Sequence, residues 1–273
     1  MKMITFVAEK NGKLVKLALK TNADLSYSAL NKLLRNKDVK VNGKRVKEDV
    51  NLIRGDKVEI FYTAKEIEKF SRIYLDENIV VVDKKAGYLS EDVFSDLQKA
   101  GETYFIHRLD RNTAGIMIFA RNRRAEKELL NGFKTHAFEK YYKAVVVGRP
   151  PKERDELTAY LKKDAAAATV KVFDVKTDGA VKIKTGYKVV KYGKDTTELS
   201  VRLFTGKTHQ IRAHLAYIGC PVAGDGKYGN NAFNKARGVK DLQLFSESVT
   251  LRFNKGDLLY YLDGKTFTRL KGE

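Results

Sequence analysis

Apolar and polar positions divide the chain into a short first part and a longer second part. In the first part, LSYSALNKLLRN carries apolar residues at helical spacing: Leu25, Ala29, Leu30, Leu33 and Leu34. This spacing predicts a helix. VKVNGKRV then places an Asn-Gly pair between two short alternating runs, which is typical of a β-hairpin, and RGDKVEIFY predicts a turn and another strand. Residues 1–62 are therefore predicted to form a small α+β domain.

Strand patterns dominate the second part, which follows a polar stretch, TAKEIEKFSR (63–72), predicted to be a linker. The runs that predict strands are NIVVVDK, TYFIHRL, GIMIFA, KYYKAVVVG, AVKIKTGYKVV and ELSVRLF. Helices are predicted over RNRRAEKELLNGF and THQIRAHLAYIG. Strands and helices alternate without a regular βαβ rhythm. Residues 73–273 are therefore predicted to form an α+β domain, a largely antiparallel mixed sheet with flanking helices.

The charge of the chain is strongly positive and changes the list of expected partners. Lys and Arg number 53 against 34 Asp and Glu, a formal net charge of +19. Such an excess favours a polyanionic partner, because neutralised phosphates release condensed counterions. Nucleic acid is the first candidate. A membrane partner is not expected, since neither a basic amphipathic helix nor a polybasic cluster is found. A protein kept in solution by its own charge is the alternative interpretation.

The cysteine and histidine content argues against a disulfide framework and against a metal site. Cys220 is the only cysteine, and the four histidines (His107, His136, His209 and His214) lack metal-ligand spacing. We therefore expect no metal. The start of the chain, MKMITFVAEK, lacks the apolar segment of a signal peptide, and no apolar run approaches membrane-spanning length. A cytoplasmic location is expected.

Basic side chains of the first part form one candidate surface for nucleic acid. Lys32 and Arg35 lie on the predicted helix, and Lys44 and Arg45 lie on the predicted hairpin. Together they could bind the phosphate backbone. An ordinary solvated face of a small domain is the alternative.

HRLDRNTAG, which starts at His107, is a candidate site between two apolar runs. If FIHRLD is extended, Ile106, Arg108 and Asp110 share one face while His107 and Leu109 share the other. Nearby cations favour the ionised form of Asp110. A charged carboxylate suits a nucleophile or a base better than a general acid. From these residues alone, a structural Arg–Asp pair and a catalytic one stay equally open.

LFTGKTHQIRAHLAYIGCPVAGDGKYG, starting at residue 203, supplies a second candidate site. Thr208 is predicted to cap the helix that follows it. Lys207, His209 and Arg212 then lie near a helix N-terminus, where an anion would be favoured. A basic, solvated helix start is the alternative interpretation.

Taken together, these segments resemble the RluA-type RNA pseudouridine synthases. That family carries HRLD followed by T-S/A-G, then K-x-Y-x-A before V-x-G, then G-R/K-T-HQ-I/L-R-x-HL, G-x-P and GD-x-x-YG. This chain has HRLDRNTAG, KYYKAVVVG, GKTHQIRAHL, GCP and GDGKYG in the same order, over about residues 73–253. One departure is Lys85 in IVVVDKKAGYL, where the family usually has proline, and the stretch from there to His107 looks shortened. The pattern KDVKVNGKRV followed by GDKVEI resembles an S4 RNA-binding domain.

The resemblance implies the pseudouridine-synthase fold and a role for individual residues. It makes Asp110 the catalytic aspartate, Arg212 the arginine that pairs with it, and Tyr142 the aromatic that stacks on the target uracil. A core-packed strand aromatic is the alternative for Tyr142. Arg108 is similar to the family residue that fills the gap left when the uridine leaves the RNA stack. Further RNA-contacting residues expected near the site are His107, Arg111, Lys207 and His209, with Arg111 contributing only electrostatics.

The implied reaction isomerises uridine in RNA to pseudouridine without redox change or net water, so that no cofactor is needed. Asp110 would either attack C1′ or abstract the 2′ proton. Ribosomal RNA of the large subunit is favoured over tRNA as the target, because S4-containing members often act there. A non-catalytic RNA-binding or ribosome-assembly protein is the main rival. A nucleic-acid glycosidic hydrolase would need a second acid, and the one candidate, Asp225, is predicted to be a turn residue. A monomer with no obligate protein partner is expected.

Overall fold

The computed structural model of the chain describes residues 2–21, 25, 27–63 and 68–270. Two compact units are present. The first comprises Met1–Ser71 and Lys85–Tyr88, and the second comprises Arg72–Lys84 and Leu89–Glu273.

The first unit packs two helices against short antiparallel strands. Its elements are β1 (Lys2–Val7), β2 (Gly12–Lys13), α1 (Leu14–Thr21), α2 (Tyr27–Arg35), β3 (Val39–Val41), β4 (Lys44–Val46), β5 (Asn51–Leu52) and β6 (Lys57–Tyr62). The predicted helix is confirmed as α2, and Leu30, Leu33 and Leu34 on its apolar stripe are buried. The predicted hairpin is confirmed as β3–β4, with positive φ angles at Asn42 and Gly43 that suit a two-residue turn. Helix α1 was not predicted from the sequence.

The second unit is built on one large sheet. Its strands are β7 (Phe70–Leu75), β8 (Ile79–Lys84), β9 (Tyr104–Phe105), β10 (Ala114–Ala120), β11 (Glu139–Val147), β12 (Arg154–Asp164), β13 (Thr169–Phe173), β14 (Val181–Tyr192), β15 (Thr196–Leu203), β16 (Leu244–Thr250) and β17 (Thr266–Thr268). Its helices are α3 (Ser90–Ala100), α4 (Arg123–Lys134), α5 (Gln210–Tyr217) and α6 (Asn231–Arg237), followed by a 3-10 turn (Leu258–Leu262).

The order of strands across this sheet is β13-β12-β14-β15-β11-β16-β10-β8-β7, with β9 paired to β10 and β17 to β16. Among the described strands, all pairings in this sheet are antiparallel except β10 with β16, so the predicted mixed, largely antiparallel sheet is confirmed. Strand β10 is buried at every position because it lies inside the sheet. Helix α5 packs on one face, where Ile211 and Leu215 join the core formed by β11, β14 and β15.

Two predictions about element bounds were wrong. The expected linker (63–72) overlaps β7, which starts at Phe70 and pairs in the large sheet. TYFIHRL forms a strand only at Tyr104–Phe105, because the polar residues that follow turn into a loop. The stretch before His107, which looks shortened against the family pattern, contains the eleven-residue helix α3, which was not predicted. Helix α6 and strands β12, β13 and β16 were not predicted either.

Lys85, which departs from the family's usual proline, uses a group that proline lacks. Its backbone N–H donates to the carbonyl of Lys69 at 2.8 Å, and its ammonium pairs with Glu68 at 2.7 Å. Proline has no N–H. The lysine therefore adds a backbone hydrogen bond and an ion pair within the first unit.

Gly115 allows β10 and β16 to approach closely at their parallel pairing. Its φ angle is +121°, and a Cβ placed there would lie 2.2 Å from the carbonyl oxygen of Ser246. Since both the conformation and the space exclude a side chain, Gly115→Ala is expected to lower the free energy of unfolding by at least about 3 kcal/mol. Urea titration of the purified protein measures this. Gly226→Ala, where nothing lies within 4 Å of an added Cβ, is the control, and equal stability of the two variants would contradict the argument.

No helix among the described residues combines the length and the apolar character needed to cross a membrane.

Candidate active site

Buried residues fix the loop that carries Asp110. Ile106 and Leu109 are buried, while Arg108 is exposed. The expected alternation of faces is therefore wrong for Ile106 and Arg108, since the backbone leaves the strand before His107. Ser90, at the start of α3, donates to the Leu109 carbonyl and accepts from the Leu109 N–H, both at 2.9 Å. This double contact holds the residue next to Asp110 in place.

A buried lysine supports the other side of the same loop. Lys84 ends β8, is fully buried, and donates to the carbonyl of Arg111 at 3.1 Å. Burial lowers the pKa of Lys84 to about 7, against the opposing influence of nearby carboxylates, of which Asp110 is the strongest. Lys84 therefore gives the loop a hydrogen bond. With a pKa of about 7, its amine is only partly protonated at neutral pH. The side chain of Arg111 is exposed.

Arg212 joins two distant carboxylates in one network. Its Nη1 donates to Asp110 at 3.1 Å, while its Nε and Nη2 donate to Asp225 at 2.7 and 2.8 Å. The expected pairing of Arg212 with Asp110 is thus present in the geometry. Arg108 does not share it: its side chain is 65% exposed and lies 3.5 Å from Glu91. Arg108 therefore does not form the Arg–Asp pair that an extended HRLD segment implied.

Asp225 does more than make a turn. Its carboxylate accepts from the N–H groups of Lys227 and Tyr228, as a turn residue should, but it is also 1% exposed and bidentate on Arg212. Burial alone would raise the pKa of Asp225. The hydrogen bonds and charge of Arg212, with the two backbone donors, outweigh burial and lower it. Asp225 therefore fixes the orientation of Arg212.

The helix behind Arg212 begins one residue later than a cap at Thr208 implies. Helix α5 starts at Gln210, and its N-cap is His209 in a left-handed conformation, so the prediction that Thr208 caps it was wrong. The side chain of Gln210 ties down this turn instead, accepting from the N–H of Lys207 at 3.1 Å and donating to Thr185 at 3.0 Å. Because Arg212 is committed to two carboxylates, the predicted anion site at this helix start retains only Lys207 and His209.

His209 lies between Asp110 and the GDGKYG turn. Its Nε2 is 3.8 Å from Asp110, and its Nδ1 is 2.9 Å from the hydroxyl of Tyr228. Burial lowers the pKa of His209, although the charge of Asp110 opposes this. The guanidinium of Arg212 lies 5.3 Å from the Tyr228 ring. The motif GDGKYG thus supplies two residues that support the site, Asp225 and Tyr228, to which the sequence alone assigned no such role.

A pocket opens directly above the Asp110–Arg212 pair. Its walls include Tyr142 from β11, Leu203 from β15 and Lys207 from the loop that follows. Burial raises the pKa of Tyr142 to about 12, although a hydrogen bond to Ser246 opposes this. The hydroxyl therefore stays protonated at neutral pH. The pocket combines an aromatic wall, a carboxylate and an arginine, a suitable set for a flat, polar ring.

His107 serves the interior of the second unit. Its Nε2 accepts from the N–H of Ile118 at 3.0 Å, and its ring stacks on Phe133 at 4.3 Å between centroids. Burial, followed by the charge of Lys140, lowers the pKa of His107 to about 3. The ring is therefore neutral at pH 7. These contacts show that His107 supports the HRLD loop, and its expected contact with RNA stays a prediction.

The low pKa of His107 makes a testable contribution to acid sensitivity. Below a pH of about 6.5, the usual pKa of histidine, His107 binds a proton in the unfolded chain but stays neutral in the folded chain. Stability is therefore lost as the pH falls from 6.5 towards 3, by up to about 1.4 kcal/mol per pH unit. Urea titrations at pH 7.5 and 5 should show a smaller loss in His107→Gln, by about 2 kcal/mol. His136→Gln, at an exposed histidine, is the control; an unchanged loss in His107→Gln would refute the assignment.

The four basic residues proposed from the first part are all exposed. Lys32 and Arg35 lie on α2, and Lys44 and Arg45 on β4. Arg45 donates to the carbonyl of Lys37 at 2.6 Å. Their role in binding RNA stays a prediction. Within the described part of the chain, no group of three or more His, Cys, Asp or Glu side chains converges as metal ligands would.

Known proteins match this chain over both its sequence and its fold. Residues 78–217 match the family described as RNA pseudouridylate synthase. Ribosomal large subunit pseudouridine synthase C of Rickettsia bellii is 29% identical, over 76% of this chain and 79% of its own length. An uncharacterized RNA pseudouridine synthase of Aquifex aeolicus is 32% identical, over 80% of this chain and 77% of its own length.

A solved structure agrees at the level of the fold. Human RNA pseudouridylate synthase domain containing 1 superposes with a TM-score of 0.58 at 21% identity, over 74% of this chain and 91% of its own. The expected pseudouridine-synthase fold is confirmed by this likeness and by the family match.

Proposed function

The chain belongs to the RNA pseudouridylate synthase family, and from this membership we propose that Asp110 is the residue that isomerises uridine. The enzyme is an RNA pseudouridine synthase, and RNA is its partner. The observation that carries the proposal for Asp110 is the 3.1 Å contact that holds its carboxylate against Arg212 in the pocket walled by Tyr142.

The reaction balances without any further reactant. The C1′–N1 bond of uridine breaks, the uracil turns within the pocket, and a C1′–C5 bond forms, while the C5 proton leaves and N1 gains one. Asp110 either attacks C1′ or removes the 2′ proton, and both routes need an ionised carboxylate. Arg212 donates a hydrogen bond to this carboxylate at 3.1 Å and so fixes its position in the pocket.

We propose separate roles for the other residues of the pocket. Tyr142 stacks on the uracil, since its ring forms a wall of the pocket and its hydroxyl is engaged with Ser246. Arg108 occupies the position that the uridine leaves, because a base must be turned out of the RNA stack before it can react. Its side chain is 65% exposed, and it would exchange its 3.5 Å contact with Glu91 for a contact with RNA. Lys207 and His209 contact nearby phosphates, and Arg111 adds only positive charge.

The proposed substrate is large-subunit ribosomal RNA. The supporting observation is that the relatives from Rickettsia bellii and Escherichia coli are named ribosomal large subunit pseudouridine synthase C, the latter 28% identical over 92% of this chain. The first unit, which resembles an S4 domain, would bind the same RNA through its exposed basic residues. The named relatives are bacterial enzymes of ribosomal RNA, which supports a cytoplasmic location as part of this proposal. A monomer is also proposed.

Mapping pseudouridines in RNA from cells with and without the gene tests the substrate directly. We expect one or more sites in large-subunit ribosomal RNA to disappear and to return with the intact gene, but not with its Asp110→Asn form. Loss of sites in tRNA alone would replace the proposed substrate. An unchanged map in all RNA would overturn the proposal.

A further inference from the structure

One face of the large sheet alternates aromatic and basic side chains across its strands. Directly opposed residues of paired strands share a face. Tyr160 lies opposite both Phe173 and Lys182, and Tyr141 lies opposite Arg202. All three aromatic rings stay partly exposed.

Phe204, just after β15, extends the same face. The ammonium of Lys184 lies 4.4 Å from its ring centroid, and the guanidinium of Arg202 lies 4.7 Å from it. Gly186 lies beneath this ring: a Cβ there would come within 3.2 Å of Phe204. The absence of a side chain on Gly186 therefore lets the ring lie close to the sheet. We refer to this surface as the aromatic–basic face. Its rings are Tyr141, Tyr160, Phe173 and Phe204, and its basic residues are Lys143, Arg154, Lys162, Lys171, Lys182, Lys184, Lys188 and Arg202.

Positive charge is in excess on this face. Four of its basic side chains pair with carboxylates, as Lys184 does with Glu156 at 2.6 Å. Four more are exposed and, within the residues that the structure describes, have no ion pair: Arg154, Lys162, Lys182 and Lys188. Unpaired cations beside partly exposed aromatic rings are the combination that single-stranded nucleic acid prefers, since phosphates and bases are bound separately.

The opposite face of the same strands carries the pocket. There, Ala159 and Ile183 pack against Ala213 of α5. The two faces meet at neighbouring residues: Tyr142 and Leu203 line the pocket, whereas Tyr141 and Phe204 lie on the aromatic–basic face. An RNA strand that leaves the pocket could pass around this end of the sheet and reach the aromatic–basic face, because the two faces are only one sheet thickness apart.

We propose that the aromatic–basic face binds a single-stranded segment of the substrate RNA that flanks the target uridine. Bases stack on the exposed rings, and the unpaired cations contact phosphates. This inference rests on the action of the enzyme on RNA but not on the role of Asp110. It adds a second contact surface that lengthens the RNA recognised beyond the pocket.

Binding of a uridine-free RNA separates this surface from the chemistry. The probe is a fluorescently labelled 30-nucleotide oligoadenylate, measured by anisotropy against the full chain over a range of salt concentrations. Replacing Arg154, Lys162, Lys182 and Lys188 together by glutamine is expected to weaken binding at least about tenfold. The slope of log K against log salt should shrink by about 2 to 3, because a single strand contributes about 0.7 for each phosphate contact.

Matched variants control for charge and for loss of a ring. Lys134, Lys235, Lys240 and Lys255, replaced together by glutamine, remove the same charge from exposed positions elsewhere in the second unit. Phe204→Leu should weaken binding about tenfold, as loss of a stacked base does, whereas Tyr260→Leu, at another exposed ring, should not.

Two outcomes overturn the proposal: equal affinity of the aromatic–basic variants and wild type, or equal weakening by the control set. An acidic protein as the true occupant would give the first outcome. Since the probe lacks uridine, a failure of Asp110 as the catalytic residue would leave this result unchanged, so the two proposals fail separately.

Discussion

Asp110→Asn is expected to lower the rate of pseudouridine formation by at least about 10³-fold while leaving the fold and the affinity for RNA near wild type. Either proposed route requires a carboxylate that can donate an electron pair, and an amide cannot do this at useful rates. The amide keeps the shape of the side chain, and its oxygen can still accept from Arg212, which now lies 3.1 Å away. The loss should therefore appear in chemistry, not in binding.

Single-turnover conversion of radiolabelled uridine in ribosomal RNA measures this rate, and anisotropy with the same RNA measures affinity. Asp178→Asn, which changes an exposed carboxylate in a loop, is the matched control and should react like wild type. If Asp110→Asn retains more than about a tenth of the rate, the carboxylate is not the reacting group, because a lost acid–base or nucleophilic function costs far more.

The sequence identified the three central residues of the pocket but could not assemble them by physical reasoning alone. HRLDRNTAG left a structural pair and a catalytic aspartate equally open, because the decisive arginine lies 102 residues further along the chain. The order of motifs shared with a family indicated that Asp110, Tyr142 and Arg212 belong together. In the structure, β11 and α5 bring Tyr142 and Arg212 to the loop of Asp110.

Local patterns failed where tertiary contacts decided the outcome. Arg108 is two residues from Asp110, so an extended backbone would have paired them. The anchoring of Leu109 by Ser90 turns the loop instead and leaves Arg108 beside Glu91. Similarly, His107 was expected to contact RNA, but its ring stacks on Phe133 and burial lowers its pKa to about 3. Periodicity predicts which residues share one face of a helix or strand. It does not predict which distant side chains come into contact with that face.

Asp225 was the most consequential residue to be underestimated. In GDGKYG an aspartate between two glycines is typical of a turn, and it does accept the two backbone N–H groups of that turn. Nothing local indicates that Arg212 also reaches it, since that contact spans a helix and a loop. The only signal in the sequence was that a second carboxylate, Asp225, accompanies the arginine motif. No partner for this carboxylate was evident from the sequence.

Asp225→Ala is expected to cause a large loss of both stability and activity. The carboxylate and the Arg212 side chain are almost completely buried, at 0% and 9% exposed. Removing Asp225 leaves the buried guanidinium of Arg212 with only its single contact to Asp110. Loss of one partner of a buried ion pair typically lowers the free energy of unfolding by about 3–5 kcal/mol. The turn also loses the acceptor for two N–H groups. Urea titration of the second unit's unfolding transition measures the effect.

A variant that regains stability without the Arg212–Asp225 ion pair distinguishes a structural role of this pair from a role in positioning Arg212. Replacing both partners by apolar residues, Arg212→Met with Asp225→Leu, removes the orphaned charge and should recover at least half of the lost stability. It should not recover activity, because nothing then holds a cation 3.1 Å from Asp110. At low temperature, where Asp225→Ala stays folded, its rate constant should fall by about 100-fold at unchanged RNA affinity. Recovery of activity in the apolar double variant would show that the pair only stabilises the fold, and that Asp110 works without Arg212.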